Sequence, residues 1–173
     1  IKFRLGLFDH PYTDEGREPS AFLRPESIRL AREIAGRSMV LLKNDRETLP
    51  LNKNVGSIAV IGPLADDRRA PLGWWAGDGK EENTITPLAG IKAKVSAQTK
   101  VGYAKGCDVK DDSTAGFQEA VNLAKQSDLA ILFVGEIAEM VGEAASRSSL
   151  DLPGRQLELV QAIQAVGRPT VVV

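Results

Sequence analysis

The sequence predicts an α/β fold, a mostly parallel sheet sandwiched between helices in three layers, and three observations lead there. Ser57–Ile61, Leu129–Val134 and Thr170–Val173 are β-branched or wholly apolar runs of strand length, the pattern of strands covered on both faces. Between them lie segments whose apolar residues recur at helical spacing. Strands that alternate with helices of about ten residues need right-handed crossovers, and such crossovers gather strands into a parallel sheet.

The elements follow in order. Residues 1–25 hold Gly6, Pro11, Gly16, Pro19 and Pro25 among charged residues and keep no period of 3.6 or 2, so they read as a linker or wrap-around arm. The α/β domain is expected over residues 26–173. Ile28, Ala31, Ile34 and Ala35 share a helical stripe, and Met39–Leu42 is an apolar run of strand length. Ser57–Ile61 is a buried strand stopped by Gly62 and Pro63, and a long loop around Trp74 and Trp75 runs to about Thr84. Thr86 before Pro87 reads as an N-cap with proline at the first helical position, and Leu88, Ile91 and Val95 form the stripe that follows. A short strand is expected at Val101–Ala104, then a helix through Phe117, Ala120, Val121 and Ala124, which Ser113 or Thr114 can cap. Leu129–Val134 is the clearest strand. Leu157, Val160, Ile163 and Val166 mark a last helix, ended by Gly167 and Pro169 before the final strand.

Composition excludes several functions. The 173 residues are 43% apolar and 26% charged, as in a globular domain that buries a core. A formal net charge of −1 leaves no electrostatic footprint for nucleic acid or an acidic membrane surface. No apolar run reaches the roughly 18 to 20 residues of a membrane span, and the N-terminus lacks the pattern of a signal peptide. Cys107 and His10 are the only residues of their kinds, too few for an internal disulfide or a Cys/His metal site. No metal and no cofactor are expected. The chain opens at Ile1 and stops on a strand-like run, so both ends are expected to be truncated.

In parallel sheets ligands bind outside the carboxyl ends of the strands, which directs the search to the loops after Ile61, Ala104 and Val134. The first holds Trp74 and Trp75 in a glycine-bearing stretch; one of them can stack on a ligand ring or plug the edge of the core. The third runs from Gly135 to Leu150 with Glu136, Glu139, Glu143 and Arg147. Those residues suit polar substrate chemistry, and from residue types alone a solvated acidic loop is the commoner outcome. Phosphate-binding glycine loops and a G-x-S-x-G elbow are absent, and His10 lies in the N-terminal arm, so nucleotide binding and histidine-assisted nucleophiles lose their support. Carboxylate chemistry remains.

Several short segments, in order, carry a likeness: Leu5-Gly6-Leu7-Phe8-Asp9 with Pro11-Tyr12, Val40-Leu41-Leu42-Lys43-Asn44 with Leu49-Pro50-Leu51, Ile58 through Pro63, Gly73-Trp74-Trp75, Thr86-Pro87-Leu88, and Gly135-Glu136 through Leu152-Pro153-Gly154. Together they resemble the second domain of glycoside hydrolase family 3, and Ser146-Arg147-Ser148 with Leu150 and Leu152-Pro153-Gly154 is similar to bacterial β-glucosidases of the periplasmic kind.

The resemblance implies a retaining exo-β-glycosidase of β-glucosidase type that acts on terminal β-linked glucose or similar sugars in a β-glucoside or oligosaccharide. It implies a nucleophilic aspartate on a preceding barrel domain and a glutamate acid/base from a second-domain loop. Retaining chemistry needs those carboxyl groups roughly 5 Å apart. The same resemblance implies Glu143 as the acid/base, with Glu136 and Glu139 as alternatives. Substrate-binding roles fall to Glu136, Arg147 and Trp75, Arg147 either meeting a sugar hydroxyl or holding the loop through a carboxylate. A periplasmic or secreted parent is expected, and the chain alone is expected to be inactive. The competing reading is a non-catalytic α/β module that binds sugar or packs against a partner domain.

Overall fold

The computed structural model describes residues 1–173, which fall into two compact units, Ile1–Asn44 and Asp45–Val173. In the first unit the rings of Phe3 and Phe8 meet at 4.6 Å, and α1 (Glu18–Ala21) and α2 (Pro25–Ser38) follow. Proline opens α2 at a position where a helix has no use for the missing N–H. Ile28 and Ile34 stay exposed along its length. The run Met39–Leu42 is not the strand its apolar residues suggest. Met39 has extended dihedrals, but no neighbouring strand bonds to the segment and all four side chains are exposed. An extended backbone becomes a strand only when another strand takes up its N–H and C=O groups.

The second unit is built on a four-stranded parallel sheet of order β2-β1-β3-β4. The strands are β1 (Ser57–Ile61), β2 (Lys100–Ala104), β3 (Leu129–Leu132) and β4 (Thr170–Val172). The helices are α3 (Pro87–Lys94), α4 (Phe117–Lys125) and α5 (Gln156–Gln164). Registers are regular, with Ile58 opposite both Val101 and Leu129, and Ile131 opposite Val171.

Side chains alternate across β1 and β3 and so divide the core in two. Ile58, Val60, Leu129 and Ile131 pack with Leu88 of α3 and, at its margin, Ile91 and Val95. Ala59, Ile61, Ala130 and Leu132 face Ala120 and Ala124 of α4 and Leu159 and Ile163 of α5. The alanines at 59, 120, 124 and 130 are wholly buried, and their small size lets α4 lie close to the central strands. These are the three layers that the sequence pattern predicts.

Two caps illustrate how local chemistry sets the boundaries. Thr86, 2% exposed, starts α3: its hydroxyl accepts from the Ala89 amide at 3.2 Å and donates to Asp66 Oδ1 at 2.7 Å. Neither Ser113 nor Thr114 caps α4. Gly116 occupies that position without a side-chain bond, while Ser113 Oγ accepts from the Ala115 amide and the Thr114 carbonyl accepts from the Phe117 amide. The hydroxyl residues shape the turn before the helix instead of closing its first turn.

Gly62 ends β1 where the chain must pass the backbone of Phe133. Its φ is 119°, and a Cβ there would lie 2.1 Å from the Phe133 carbonyl oxygen. Gly62→Ala should therefore lower the unfolding free energy by about 3 kcal/mol through steric conflict and a disfavoured dihedral. A reduced urea midpoint at unchanged slope is the expected result, and an unchanged midpoint would show that the strand end yields.

Candidate active site

The order β2-β1-β3-β4 creates a switch point. The chain leaves β1 over one face to reach β2 and leaves β3 over the other to reach β4, so the loops after β1 and β3 part at the carboxyl ends of adjacent strands. Those are the tryptophan loop and the acidic loop. They stay zipped just beyond the strands, where Phe133 N–H donates to the Ile61 carbonyl at 2.8 Å and Leu64 N–H donates to the Phe133 carbonyl.

Side chains tie the loops together farther out. Asp67 Oδ1 accepts from the Arg69 and Ala70 amides at 2.7 and 2.9 Å, which sets the direction of Arg69. The Arg69 guanidinium donates to the Gly73 carbonyl at 2.8 Å and lies 3.8 Å from Glu139 Oε1, so it spans both loops. Trp74 packs on Gly142: a Cβ on that glycine would come within 2.5 Å of the indole. The two tryptophans are thus divided in role. Trp74 wedges between the loops, and Trp75, 72% exposed, is offered to solvent.

The acidic loop sorts its glutamates by partner. Glu136 pairs with Arg147 at 2.5 Å, and the same guanidinium donates to the Asp151 carbonyl at 2.6 Å. Arg147 therefore holds the loop through a carboxylate, one of the two roles open to it in the sequence. Glu139 sits in a short 3₁₀ turn, Ala138–Met140, whose Ala138 is buried, and it meets Arg69. Glu143 has no cationic partner. It stands exposed at the tip of a tight turn in which Gly142 and Ala145 bridge and Ala145 N–H donates to the Gly142 carbonyl. Ala144, the next residue, has φ of 58°, a conformation that costs a non-glycine residue about 1 kcal/mol or more.

Beside these loops, a crevice of about 480 Å³ is lined by Pro63 after β1, Lys105, Asp108 and Asp111 after β2, and Ile137 after β3. Its polar groups include the Lys105–Asp108 ion pair, which raises the lysine above its usual range through the hydrogen bond to Asp108. Cys107, between those two residues, turns inward and joins the core with 6% exposure. No cluster of acidic, histidine or cysteine side chains is arranged to hold a metal ion, and no helix is long and apolar enough to cross a membrane.

The sequence pattern singled out Trp75, Glu136, Glu139, Glu143 and Arg147; the fold brings their loops together at the switch point. His10 lies in the first unit. Missed were Arg69, which no spacing distinguishes from other surface arginines, and Gln156, which is fully buried. Gln156 was discoverable, because it shares the helical stripe of Leu159, Val160 and Ile163 on α5.

The fold and the two joined loops define a parallel α/β domain that presents carboxylates at its switch point. Residues 39–173 match the family model described as Glycosyl hydrolase family 3 C-terminal domain. The chain is 38% identical over its full length to a periplasmic β-glucosidase of Salmonella typhimurium, and 40% identical over 99% of its length to a β-xylosidase of Formosa agariphila. Among solved structures, a Listeria innocua β-glucosidase in complex with glucose superposes with a TM-score of 0.86 at 32% identity, covering 99% of this chain and 23% of that one. The chain belongs to glycoside hydrolase family 3, and residues 39–173 belong to its C-terminal domain. It spans 26% and 24% of the two curated relatives, about a quarter of their length.

Burial pushes the Cys107 thiol up to about 11 from its ordinary 9.0, with the Asp108 charge adding to the effect. Two outcomes follow for the folded chain. The thiol should resist alkylation at pH 8, since the thiolate is the reactive form. Stability should be at its full value below pH 9 and fall as pH rises toward about 11, because over that window the unfolded chain releases a thiol proton that the folded chain retains. Cys107→Ser should flatten this decline in denaturant titrations, and an equal decline in both proteins would assign it to other groups.

Proposed function

We propose that this domain supplies the acid/base loop of a retaining exo-β-glycosidase of β-glucosidase type, with Glu143 as the proton donor. The observation that carries the reading is the division of the glutamates. Glu136 and Glu139 are each engaged by an arginine, whereas Glu143 projects unpaired from a turn at the carboxyl end of the sheet. A residue that must meet a glycosidic oxygen needs that freedom, and the loop beneath it needs the anchors.

The full-length protein then works in two steps. A carboxylate from a preceding barrel domain, reached through the arm of residues 1–25, attacks the anomeric carbon. The glycosidic C–O bond breaks, and the proton of Glu143 passes to the leaving oxygen. In the second step a water molecule gives its proton to the Glu143 carboxylate and its oxygen to the anomeric carbon, which frees the nucleophile. Trp75, exposed beside the acidic loop, offers a face for a sugar ring. Glu136 and Arg147 present polar atoms to sugar hydroxyls while they brace the loop. The relatives named β-glucosidase support glucose as the terminal sugar, and the relative named β-xylosidase makes xylose the natural comparison substrate. A periplasmic or secreted location agrees with the name of the Salmonella relative.

In the full-length enzyme, Glu143→Ala should lower kcat/KM for an alkyl β-glucoside by about a hundredfold or more. The value for a dinitrophenyl β-glucoside, whose leaving group needs no proton, should change little, and azide should restore kcat by replacing the activated water. Retention of parental turnover on the alkyl substrate would remove Glu143 from the mechanism. The isolated 173-residue chain should turn over no aryl β-glucoside, since the nucleophile comes from elsewhere; measurable hydrolysis would contradict the shared-site reading.

A further inference from the structure

Gln156 opens α5 and is completely buried, an unusual place for a polar side chain. Its amide makes a compact set of bonds. Oε1 accepts from the Gly135 amide at 2.9 Å, and Nε2 lies 2.8 Å from the Gly135 carbonyl, 3.1 Å from the Pro153 carbonyl and 3.3 Å from the Val109 carbonyl. The orientation of the amide is fixed by these neighbours, because the flipped form would set its oxygen against three carbonyl oxygens.

The partners have a meaning beyond satisfying a buried group. Gly135 is the residue with which the chain enters the acidic loop, at φ of 146°, and Pro153 is where the loop returns to α5. A single side chain thus grips both ends of the segment that carries Glu136, Glu143 and Arg147, and adds the loop after β2 through Val109. It pairs with both backbone groups of Gly135, as a neighbouring strand would. Between these ends, Arg69 and Glu139 form an exposed ion pair, which contributes little to stability, whereas the Arg147–Glu136 pair is part-buried. Gln156 is the most deeply buried of the loop's side-chain attachments.

From this geometry we infer that Gln156 is a positioning residue for proton donation: it sets where the acidic loop leaves the sheet, and through that the reach of Glu143. The inference rests on Glu143 being the acid/base. A neutral amide is required, since a carboxylate of the same shape would place a second acceptor against the three carbonyls, and protonation would return one donor.

The test is Gln156→Glu in the full-length enzyme, with folding monitored by circular dichroism and thermal melting. Expected is a loss of about tenfold to hundredfold in kcat/KM for an alkyl β-glucoside, the scale of a small misplacement of a reacting group, against a clearly smaller loss for a dinitrophenyl β-glucoside, which needs no proton but still meets Glu136 and Arg147 on the same loop. The variant-to-parent ratio on the alkyl substrate should also rise as pH falls, when the introduced carboxyl regains its proton. A merely structural role would lower both substrates alike, and that result, undiminished activity on both, or a ratio flat with pH overturns the inference. Glu143→Gln serves as the control: if it shows no leaving-group dependence, the acid/base reading fails and takes the inference with it. If Glu143→Gln shows that dependence and Gln156→Glu does not, the inference fails alone. Should Gln156→Glu not fold, Gln156→Met, similar in length and free of the amide, gives the same leaving-group comparison.

Discussion

One chirality constraint places the candidate site. Right-handed crossovers require that a connection stepping one way along the sheet run over one face and a connection stepping the other way run over the opposite face. Here β1 connects toward β2 by α3, and β3 connects toward β4 by α5, so the two helices lie on opposite sides. The loops after β1 and β3 therefore diverge, although their strands are hydrogen-bonded neighbours. Nothing about the loops' own sequences creates that gap; the hand of the crossovers does.

What fills the gap is a question of partners. The backbone beyond β1 and β3 stays paired for a few residues, and then side chains take over: Arg69 spans the loops, Trp74 packs on Gly142, and Arg147 holds Glu136. These contacts lie near the surface, and the exposed Arg69–Glu139 pair contributes little stability by itself. Their value is geometric, because together they tie the loop at several points, one of them Gly142 at its turn. Gly142 is needed twice over there, once for its φ of 114° and once because the indole occupies the space of a Cβ.

The sheet was legible in the sequence because burial on both faces leaves short, continuous apolar runs bounded by turn residues. β1 and β3 are such runs, and so their ends were recognisable to within two residues. Thr86 was legible for a different reason, since a hydroxyl before a proline satisfies a helix start by chemistry alone. Met39–Leu42 misled because an apolar run shows that a segment avoids water, not that a strand lies beside it. Ser113 and Thr114 misled because hydroxyls serve turns and caps alike. At the site, residue types named the glutamates but could not sort them. The sorting depends on Arg69 and Arg147 reaching particular carboxylates across folded loops, and no local spacing encodes that. Gln156 lies between these cases, a polar residue on an apolar stripe, visible once the stripe is drawn and easily dismissed as the polar start of a helix.

The exposure of Glu143 bears on how the work of catalysis is divided. On the proposed reading, the Glu143 carboxyl stands in water at its turn and is the proton donor. It becomes an effective catalyst when water is excluded around it and a second carboxylate stands roughly 5 Å away, close enough to attack the opposite side of the same bond. Neither condition is met by the loops of this unit, which leave Glu143 and Trp75 open to solvent. On the proposed reading the domain contributes a loop gripped at both ends by a buried amide and braced along its length by arginines, with Glu143 unpaired at its turn. The same reading puts reactivity where that turn meets a second carboxylate, so that neither half of the proposed chemistry proceeds alone.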